Sequence, residues 1–468
     1  MSHAVVYESR MSDADALLWN IERDPVLRST ILGLWLLDQP PDRARLGRSV
    51  ERATRLIPRL RQRVAANPFS IAPPRWEADP DFDVEFHVRQ VALPGEAGER
   101  EVLDFLQPIA MQAFDRDRPL WELYVIEGLA GGRAALAIKL HHAISDGVGL
   151  VQMTGQLVET WRTPDPKRTP RSMPPLPEPR YLSRSERFLD ALGYERRKQV
   201  GRALGVVETL REGLPEAIRD PVGAGRELAE ALASVSRLLR PVSEPLSPLL
   251  RGRSTRLHLH TLAVPLDGLK AAARKAGGRV NDAFVAAAVE GLRRYHERHG
   301  VVVERLRMTM PINVRGEQKG DVAGNQFVPA RFEVPVNVLD PVERMRRIGE
   351  LVRREREEPA LPLVDEIASL LNRFPAAVST QVFGSMLKGV DFVTSNVPGP
   401  PFEVYASGGR IDSISGFGPL SGSAANITLF SYHGRCGIGV NTDAAAVPDP
   451  DVFRDCLDEG LDEVLAVA

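Results

Sequence analysis

A proline-rich stretch near the middle of the chain sets the tightest limit on how this sequence can fold. It runs from Thr163 to Pro179 and contains seven prolines in 17 residues. Proline fixes one backbone dihedral and has no backbone N–H to donate, so regular helix or sheet is excluded here. The stretch predicts a linker or crossover. With the helical patterns that follow it, we divide the chain into residues 1–162, 163–255 and 256–468.

Strand and helix patterns alternate on both sides of this linker. Alternating or continuous apolar runs predict strands, and apolar residues at helical spacing predict amphipathic helices. Examples are the strands Thr30 to Leu37, Phe82 to Val91 and Arg133 to Leu140, and the helices Arg43 to Ile57, Val148 to Trp161 and Asn281 to His299. A chain of 468 residues has ample core for two such α/β units.

The overall composition narrows the classes of function. The formal net charge is −2 at pH 7, so nothing global points to a nucleic-acid partner. The two cysteines, Cys436 and Cys456, are too few and too far apart for a CxxC metal site or a disulfide framework, which fits a reducing cytoplasm. The N-terminus has no signal-peptide pattern, and no run of about 18 apolar residues is present. We therefore expect a cytoplasmic protein whose contact with membranes is peripheral.

The stretch from Lys139 to Gly147 has the residue types of a catalytic turn. It follows an alternating apolar strand. If that strand continues for two more residues, His142 falls on its apolar face and His141 on the opposite one. Asp146 comes four residues after His142, in an Asp-Gly turn signal that precedes the helical pattern. The sequence therefore predicts a histidine and a carboxylate where a strand gives way to a helix.

These residue types suit proton transfer. A neutral imidazole can accept a proton from a hydroxyl or a thiol, because its ordinary pKa lies near neutrality. A carboxylate on the same turn can orient that ring or hold the loop in shape. Two alternatives stand beside this interpretation: a lone histidine at a strand end is usually structural, and adjacent histidines also occur in metal sites. His258 and His260 share a strand face as well, but without a third ligand nearby they are weak evidence for a metal.

The run His141-His142-Ala143-Ile144-Ser145-Asp146-Gly147 resembles the HHxxxDG motif of the bacterial wax ester synthase/diacylglycerol acyltransferase family. That family belongs to a wider group of CoA-dependent acyltransferases and peptide-synthetase condensation domains. The resemblance spans nearly the whole chain, in order, from Ser12 to Thr442. Further matching motifs are Pro119-Leu120-Trp121, Asn281-Asp282, Pro311-Ile312-Asn313-Val314-Arg315 and Ser395-Asn396-Val397-Pro398-Gly399-Pro400. One minor motif is not intact, since Leu246-Ser247 stands where the family often has Leu-Asn.

The resemblance implies a fold and a reaction. The expected fold is α/β, with two chloramphenicol-acetyltransferase-like domains, each a mixed sheet with flanking helices. The proline-rich, helical crossover joins them, and the active site lies in a tunnel between them. The expected reaction transfers a fatty acyl group from acyl-CoA to diacylglycerol, giving triacylglycerol, or to a long-chain fatty alcohol, giving a wax ester. The resemblance implies no metal, and no cofactor besides acyl-CoA as a substrate.

The resemblance also assigns roles within the motif. His142 would be the general base that deprotonates the acceptor hydroxyl as it attacks the thioester. His141 and Gly147 complete the catalytic motif. Asp146 would order the loop rather than relay charge, and we expect it to pair with Arg315 because a buried carboxylate needs a counter-charge.

Four residues outside the motif are predicted to lie near the substrate. Thr394 and Ser395 end a strand, where their hydroxyls can donate to a developing oxyanion, although turn capping explains them equally. Trp121 is expected to form a wall beside the site. Asn281 matches the family's Asn-Asp motif, although capping of the following helix accounts for the same residue type.

The acceptor and the lipid surface are less constrained by the sequence. Small residues near the motif and the glycines Gly416, Gly418 and Gly422 favour a wide mouth and hence diacylglycerol, but tight turns explain the same glycines. The helical pattern from Leu182 to Leu210 is apolar on one side and basic on the other. It is either a crossover helix packed on the protein or a surface that meets anionic membranes or lipid droplets.

Two other classes of function stay open at this point. One is a condensation-type acyltransferase that uses carrier-protein substrates, against which the chain shows no carrier domain. The other is a non-catalytic lipid-binding homologue, against which His142 and Asp146 are both present.

Overall fold

The computed structural model describes residues 7–66, 72–144, 147–163, 172–179, 181–219, 244–313, 327–357, 368–369, 372 and 376–468. Its strands are β1 (Thr30–Leu37), β2 (Gln62–Ala65), β3 (Arg75–Ala78), β4 (Val88–Ala97), β5 (Trp121–Leu129), β6 (Arg133–His141), β7 (Val158–Glu159), β8 (Leu257–Pro265), β9 (Arg305–Asn313), β10 (Phe327–Pro335), β11 (Phe392–Pro398), β12 (Tyr405–Ala406), β13 (Gly409–Phe417), β14 (Ala425–Tyr432) and β15 (Arg435–Asp443). Its α-helices are α1 (Asp13–Ile21), α2 (Arg43–Leu56), α3 (Val84–His87), α4 (Glu99–Met111), α5 (Gly147–Thr154), α6 (Arg184–Arg219), α7 (Leu266–Lys275), α8 (Val280–Arg298), α9 (Pro341–Arg356), α10 (Ala376–Lys388) and α11 (Pro450–Ala466).

Two large mixed sheets organise the chain. The first has seven strands in the order β4-β5-β6-β1-β13-β12-β7, with β4 and β5 parallel and the other neighbours antiparallel. The second has six strands in the order β10-β9-β11-β14-β15-β8, with β11 parallel to both β9 and β14. Helices flank both sheets, so the predicted class, α/β with two mixed-sheet units, is confirmed.

The two sheets do not divide the chain cleanly in sequence. Strands β12 and β13 come from the second half of the chain but belong to the first sheet, where β13 pairs with β1 from Leu32 opposite Phe417 to Leu37 opposite Ile411. The first sheet is therefore completed by a segment that enters from the C-terminal half. The boundaries at residues 162 and 255 stay predictions.

The sheets cross at van der Waals distance, and glycine makes this possible. A Cβ on Gly439 of β15 would lie 2.1 Å from the carbonyl oxygen of Gly416 on β13. A Cβ on Gly437 would lie 2.1 Å from the carbonyl oxygen of Ile414. No side chain fits in such a gap, so these two glycines set the spacing between the two sheets.

The first sheet is buried on both faces. Leu136, Ile138 and Leu140 of β6 pack in a cluster with helix α2, whereas Ala135 and Ala137 pack in a second cluster with helix α4. A strand covered on both sides buries every residue, and β6 is buried from Ala134 to His141. The second sheet carries one larger apolar core against helices α7, α8, α9 and α11.

Two predicted elements differ from the structure. The predicted strand Phe82 to Val91 begins only at Val88, because the Asp83 carboxylate accepts the Glu85 N–H and starts the short helix α3 instead. The predicted helix Val148 to Trp161 ends at Thr154, and Val158–Glu159 forms strand β7 against β12. That pairing is about 250 residues away in sequence, so local periodicity gives no sign of it.

The solvent-facing side of the crossover helix α6 carries both apolar and charged side chains. Arg187, Asp190 and Lys198 form ion pairs with the body of the protein. Leu189, Leu192 and Val200 are exposed on the other side of the helix. The helix therefore packs on the protein through these ion pairs, and its contact with lipid stays a prediction. No helix in the described part of the chain is long and apolar enough to span a bilayer.

Candidate active site

The two histidines of the motif lie where strand β6 ends, and the backbone of each is anchored to a different neighbouring chain segment. The His141 N–H donates to the Leu120 carbonyl at 3.0 Å, and the His142 N–H donates to the Ser29 carbonyl at 2.8 Å. The Ile144 N–H returns to the His141 carbonyl at 3.0 Å and closes a turn. His142 is thus held in a fixed turn between β1 and β5.

His142 itself is the first residue after the strand, and its side chain is half-buried. Strand alternation predicts that the His142 side chain continues the Leu136–Leu140 face. The strand ends at His141, however, so the turn rather than the strand sets the orientation of the His142 ring. A half-buried imidazole at a fixed turn has the accessibility that a general base requires. Its role as the base stays a prediction.

The His141 side chain is fully enclosed, with 1% of its surface exposed. Its Nδ1 accepts the Ala143 N–H at 3.0 Å, so in the neutral ring the proton sits on Nε2. Nε2 lies 2.9 Å from Glu22 Oε1, a short contact that is bent away from ideal hydrogen-bond geometry. Trp19 and Phe114 meet the ring edge-on. Enclosed in this way, His141 cannot approach a bulky substrate directly.

Glu22, at the end of helix α1, is the site residue that the sequence does not reveal. Its Oε1 also accepts the Ser29 N–H at 2.6 Å. Burial alone would raise the pKa of Glu22, but His141, the Ser29 N–H and Arg116 together hold that pKa below its ordinary value. Because Glu22 and His141 are 119 residues apart, only the folded chain brings them together.

A cavity of about 250 Å³ lies against this pair. His141 and Glu22 form part of its wall, and three arginines line the remainder together with aromatic and small side chains. The lining residues are Trp19, Glu22, Arg23, Arg28, Ala113, Phe114, Arg116 and His141. The three arginines give this cavity a positively charged wall beside the Glu22–His141 pair.

Lys139 is a second buried charge on the same face of β6 as His141. Its side chain is fully enclosed and packs over the Phe114 ring at 4.4 Å. The nearest carboxylate oxygen, on Glu122, is 3.8 Å away, and the amine has no hydrogen-bond partner among the described residues. Burial lowers the pKa of Lys139 to about 8, although Glu122 opposes the shift. The strand that carries the motif thus holds a poorly compensated charge.

The rest of the motif is only partly described. Gly147 begins helix α5, which lies against strand β11 of the second sheet. Asp146 and Arg315 lie outside the described residues, so their pairing stays a prediction.

Thr394 and Ser395 lie on strand β11 but on opposite faces of it. Thr394 pairs with Ile427 of β14, which belongs to the helix-covered core, and its hydroxyl is buried without a hydrogen-bond partner among the described residues. Ser395 pairs with Thr428, whose methyl group lies beside the position of a Cβ on Gly416 in the first sheet. The half-buried Ser395 is therefore on the face toward the first sheet, and Thr394 is not.

Trp121 is a packing residue at the start of β5, one strand away from the histidines. Its indole N–H donates to the Leu60 carbonyl at 2.8 Å, and its ring stacks on His87 with centroids 4.5 Å apart. Only 5% of its surface is exposed, so it supports the wall beside Leu140, its partner in β6.

Asn281 does not cap helix α8, which corrects the capping interpretation. Arg279 is the N-cap residue, and Asp282 supplies the capping carboxylate by accepting the Arg279 N–H at 2.8 Å. The Asn281 amide instead contacts Met310 Sδ on β9 at 3.4 Å. Capping thus explains Asp282 but not Asn281.

The glycines expected at the acceptor mouth are packing positions. A Cβ on Gly418 would lie 2.6 Å from the Asn426 amide, and one on Gly422 would lie 2.9 Å from Leu27 Cδ2. Gly422 also has a φ of +89°. These glycines give no argument for diacylglycerol over a fatty alcohol. Among the described residues, no group of three histidine, cysteine or acidic side chains forms a metal-ligating cluster.

Comparison with family models gives two matches that together cover most of the chain. The model of the wax ester synthase/diacylglycerol acyltransferase catalytic domain matches residues 11–284, and the model of the WS/DGAT C-terminal domain matches residues 323–464. A Mycobacterium tuberculosis protein, provisionally named a diacylglycerol O-acyltransferase, is 39% identical over 98% of this chain and 93% of its own length. A second protein from that organism, with the same provisional name, is 30% identical over 94% of this chain and 93% of its own length.

Solved structures share the fold at lower identity. A wax ester synthase/diacylglycerol acyltransferase from Marinobacter aquaeolei VT8 superposes with a TM-score of 0.61 at 22% identity, covering 97% of this chain and 98% of the other. The first condensation domain of the calcium-dependent antibiotic synthetase gives a TM-score of 0.59 at 15% identity, covering 99% and 96%. These similarities confirm the predicted chloramphenicol-acetyltransferase-like architecture.

Proposed function

The chain belongs to the wax ester synthase/diacylglycerol acyltransferase family, and from this premise we propose that it transfers a fatty acyl group from acyl-CoA to the free hydroxyl of diacylglycerol. Long-chain fatty alcohols are proposed as second acceptors. The observation that carries the proposal is the turn from His141 to Ile144, which holds a half-buried His142 on backbone hydrogen bonds from both sides. That arrangement suits a fixed general base better than a structural histidine.

The proposed reaction needs one base and no covalent intermediate on the protein. The neutral His142 imidazole accepts the acceptor's hydroxyl proton while the hydroxyl oxygen attacks the thioester carbonyl carbon. The tetrahedral intermediate collapses by breaking the carbon–sulfur bond, and the CoA thiolate takes the proton from the imidazolium. The products are an ester and CoA, and the base returns to its neutral form. We propose no metal and no further cofactor for this sequence of steps.

Ser395 is the proposed donor to the oxyanion of the tetrahedral intermediate. Its support is the face of β11 that it occupies, which is directed toward the first sheet, and the proximity of β11 to helix α5 after the motif. A hydroxyl that is already held in a strand donates with little reorganisation when negative charge develops. We also propose that Asp146 pairs with Arg315 and orders the loop without touching the substrate.

We propose that the solvent-exposed side of the crossover, between Met173 and Val200, binds peripherally to a lipid surface. Within the described residues, six of the eleven exposed large hydrophobic side chains lie between Met173 and Val200. On helix α6, Leu189, Leu192 and Val200 fall on one face, and Arg196 and Arg197 are exposed beside them. Helices that lie at a membrane interface typically insert apolar side chains into the bilayer and place arginines against lipid phosphate groups.

The enzymatic proposal is tested by release of CoA from a long-chain acyl-CoA, measured with and without diacylglycerol and with hexadecanol as the alternative acceptor. Acceptor-dependent release with formation of the labelled ester supports acyl transfer. Folded protein that binds acyl-CoA but releases no CoA with either acceptor would refute it in favour of a binding protein.

The membrane proposal is tested by flotation with vesicles that contain anionic lipid. We expect the double variant Leu189→Ser/Val200→Ser to lose most of its vesicle binding at low salt, because it removes two inserting side chains. A matched control is Val302→Ser/Leu339→Ser, since both residues are at least as exposed but lie elsewhere. Equal binding of the wild-type protein and both variants would contradict this docking surface.

A further inference from the structure

We propose that Glu22 is a positioning residue for the catalytic turn: its carboxylate fixes the chain on both sides of His142 and so aligns that imidazole with the acceptor hydroxyl. The inference rests on the proposed function, in which His142 is the base. Glu22 touches no reacting atom in this scheme and acts through its neighbours.

The first link runs through one peptide. Glu22 Oε1 accepts the Ser29 N–H at 2.6 Å, and the Ser29 carbonyl accepts the His142 N–H at 2.8 Å. The carboxylate is therefore only one residue removed from the backbone of the base. Movement of Ser29 would move the His142 amide with it.

The second link runs through the neighbouring ring. Glu22 Oε1 lies 2.9 Å from His141 Nε2, and the other ring nitrogen of His141 accepts the Ala143 N–H at 3.0 Å. The ring can accept that bond only while its proton is on Nε2, where the carboxylate favours it. Glu22 thus selects the tautomer that closes the turn after His142.

Burial makes both links strong. The Glu22 side chain is 10% exposed and that of His141 is 1% exposed, so water competes poorly for their polar atoms. Removing the carboxylate would leave the Ser29 N–H without its acceptor and the His141 Nε2–H without its charged neighbour at 2.9 Å in a largely dry site, a loss that favours rearrangement of the turn.

The segment that carries Glu22 is in turn fixed by the second half of the chain. Leu27 packs directly over Gly384 of α10 and over Gly422. The Lys388 ammonium, at the end of α10, pairs with Asp24. Glu22 therefore lies on a segment that contacts both halves of the protein, which makes the geometry of the turn dependent on how the halves meet.

The test compares steady-state kinetics of Glu22→Ala and Glu22→Gln with the control Glu51→Ala. Glu51 also loses ion pairs, with Arg55 and Arg61, but lies on α2 away from the turn. We expect Glu22→Ala to lower kcat about 10–100-fold with KM for acyl-CoA changed less than about 3-fold, because misplacement of a catalytic group affects the chemical step. Glu22→Gln should lose less, since its amide oxygen can still accept the Ser29 N–H. Glu51→Ala should keep kcat within about 2-fold of the wild type.

Small carboxylates supply a readout that a general loss of stability would not move. The cavity beside the pair admits an ion of the size of formate or acetate. Either ion should restore part of kcat in Glu22→Ala and none in His142→Ala. A crystal structure of Glu22→Ala should show the 141–144 turn displaced, a result independent of activity.

Three outcomes would overturn the inference. They are a kcat for folded Glu22→Ala within about 2-fold of the wild type, a loss confined to KM, and an undisplaced turn in the crystal structure of the variant. Failure of the proposed function is distinguishable, because the wild-type protein itself would then release no CoA, while the displacement of the turn would still be observable.

Discussion

Strands β6 and β11 both end in a family motif, yet the protein treats these two ends differently. At the end of β6, His141 is enclosed and contacted on both ring nitrogens, and the backbone of His142 is bonded to Ser29. At the end of β11, Ser395 is half-buried and Asn396 is exposed. The β6 end is thus fixed in the absence of substrate. The β11 end leaves its polar groups accessible to a substrate between the two sheets.

This difference separates two tasks. A general base must be held within a fraction of an ångström of its productive position, and here the backbone bond of His142 and the buried contacts of its neighbour His141 hold the turn. A hydroxyl that stabilises an oxyanion needs an open approach and the correct face of its strand. We therefore expect the β6 end to be intolerant of any change, and the β11 end to be sensitive at Ser395 but tolerant at Thr394.

The largest effect is expected at His142. Replacement by alanine should lower kcat about 10²–10⁴-fold, because it removes the only base in the proposed mechanism, while the melting temperature stays within a few degrees. Steady-state CoA release, with circular dichroism as the check on folding, makes the measurement. A folded His142→Ala protein with near-normal kcat would remove the β6 end from the chemistry.

The second-largest effect is expected from a change in the spacing between the two sheets that carry these strand ends. Gly439→Ala places a methyl group about 2 Å from the Gly416 carbonyl, so the two sheets must separate or the variant must unfold. We expect a loss of about 2–4 kcal/mol in unfolding free energy, by analogy with other overpacked sites. Gly33→Ala on β1 is the matched control, since its Cβ would meet no atom within 4 Å. Equal melting temperatures for the two variants would contradict the close crossing.

The buried charge near the β6 end predicts an effect that depends on pH. Burial lowers the pKa of Lys139 from 10.5 to about 8, so below pH 8 both folded and unfolded chains carry the charge and the folded state bears its full desolvation penalty. Above about pH 10.5 neither state carries the charge, and the penalty vanishes. Lys139→Met should therefore be more stable than the wild type, by up to about 3 kcal/mol at pH 7. This advantage should shrink as pH rises from 8 to 10.5.

Glu122 stays compensated in that variant, because it retains Arg89 at 3.3 Å and the Tyr124 hydroxyl at 2.6 Å. Melting temperatures of both proteins across this pH range make the measurement. A difference that does not vary with pH would show that Lys139 is not a penalised charge.

The smallest effects are expected for Ser395 and Thr394 on β11. They test the comparison between the two strand ends most directly. Ser395→Ala should lower kcat about 10-fold or more, because one donor to the oxyanion is lost. Thr394→Val should change kcat less than about 3-fold and leave stability equal or slightly higher, since it replaces a buried hydroxyl that lacks a partner in the described part of the chain. The reverse order of the two effects would assign the oxyanion contact to Thr394.

Local patterns predicted those parts of the molecule that depend on local forces. Strand β1 runs from Thr30 to Leu37 as predicted, because its apolar run needs no distant partner to be recognised. The length of helix α5 was wrong because the pairing of Val158–Glu159 with β12 competes with helix formation. The Asp83 cap likewise overrode an alternating pattern. These errors arise where a cap or a distant strand outweighs periodicity.

The same limit applies to the site. His142 was predictable because its motif is contiguous in the sequence. Glu22 was not, because its two contacts join residues that periodicity treats as independent. The assignment of Ser395 and Thr394 to opposite faces follows from strand alternation, but which face meets the other sheet depends on the crossing at Gly437 and Gly439. The sequence therefore reveals the candidate reactive groups more easily than it reveals the contacts that hold them in place.

The insertion of β13 between β1 and β12 has a consequence for biosynthesis. Strand β1 leaves the ribosome about 370 residues before β13, which at roughly 5–20 residues per second is a delay on the order of 20–75 s. Throughout that interval one edge of β1 has no strand to pair with, and exposed edges of this kind seed aggregation. The nascent N-terminal half should accordingly depend on chaperones until translation is nearly complete. A released fragment of residues 1–162 should be insoluble unless a peptide spanning residues 403–420 is supplied.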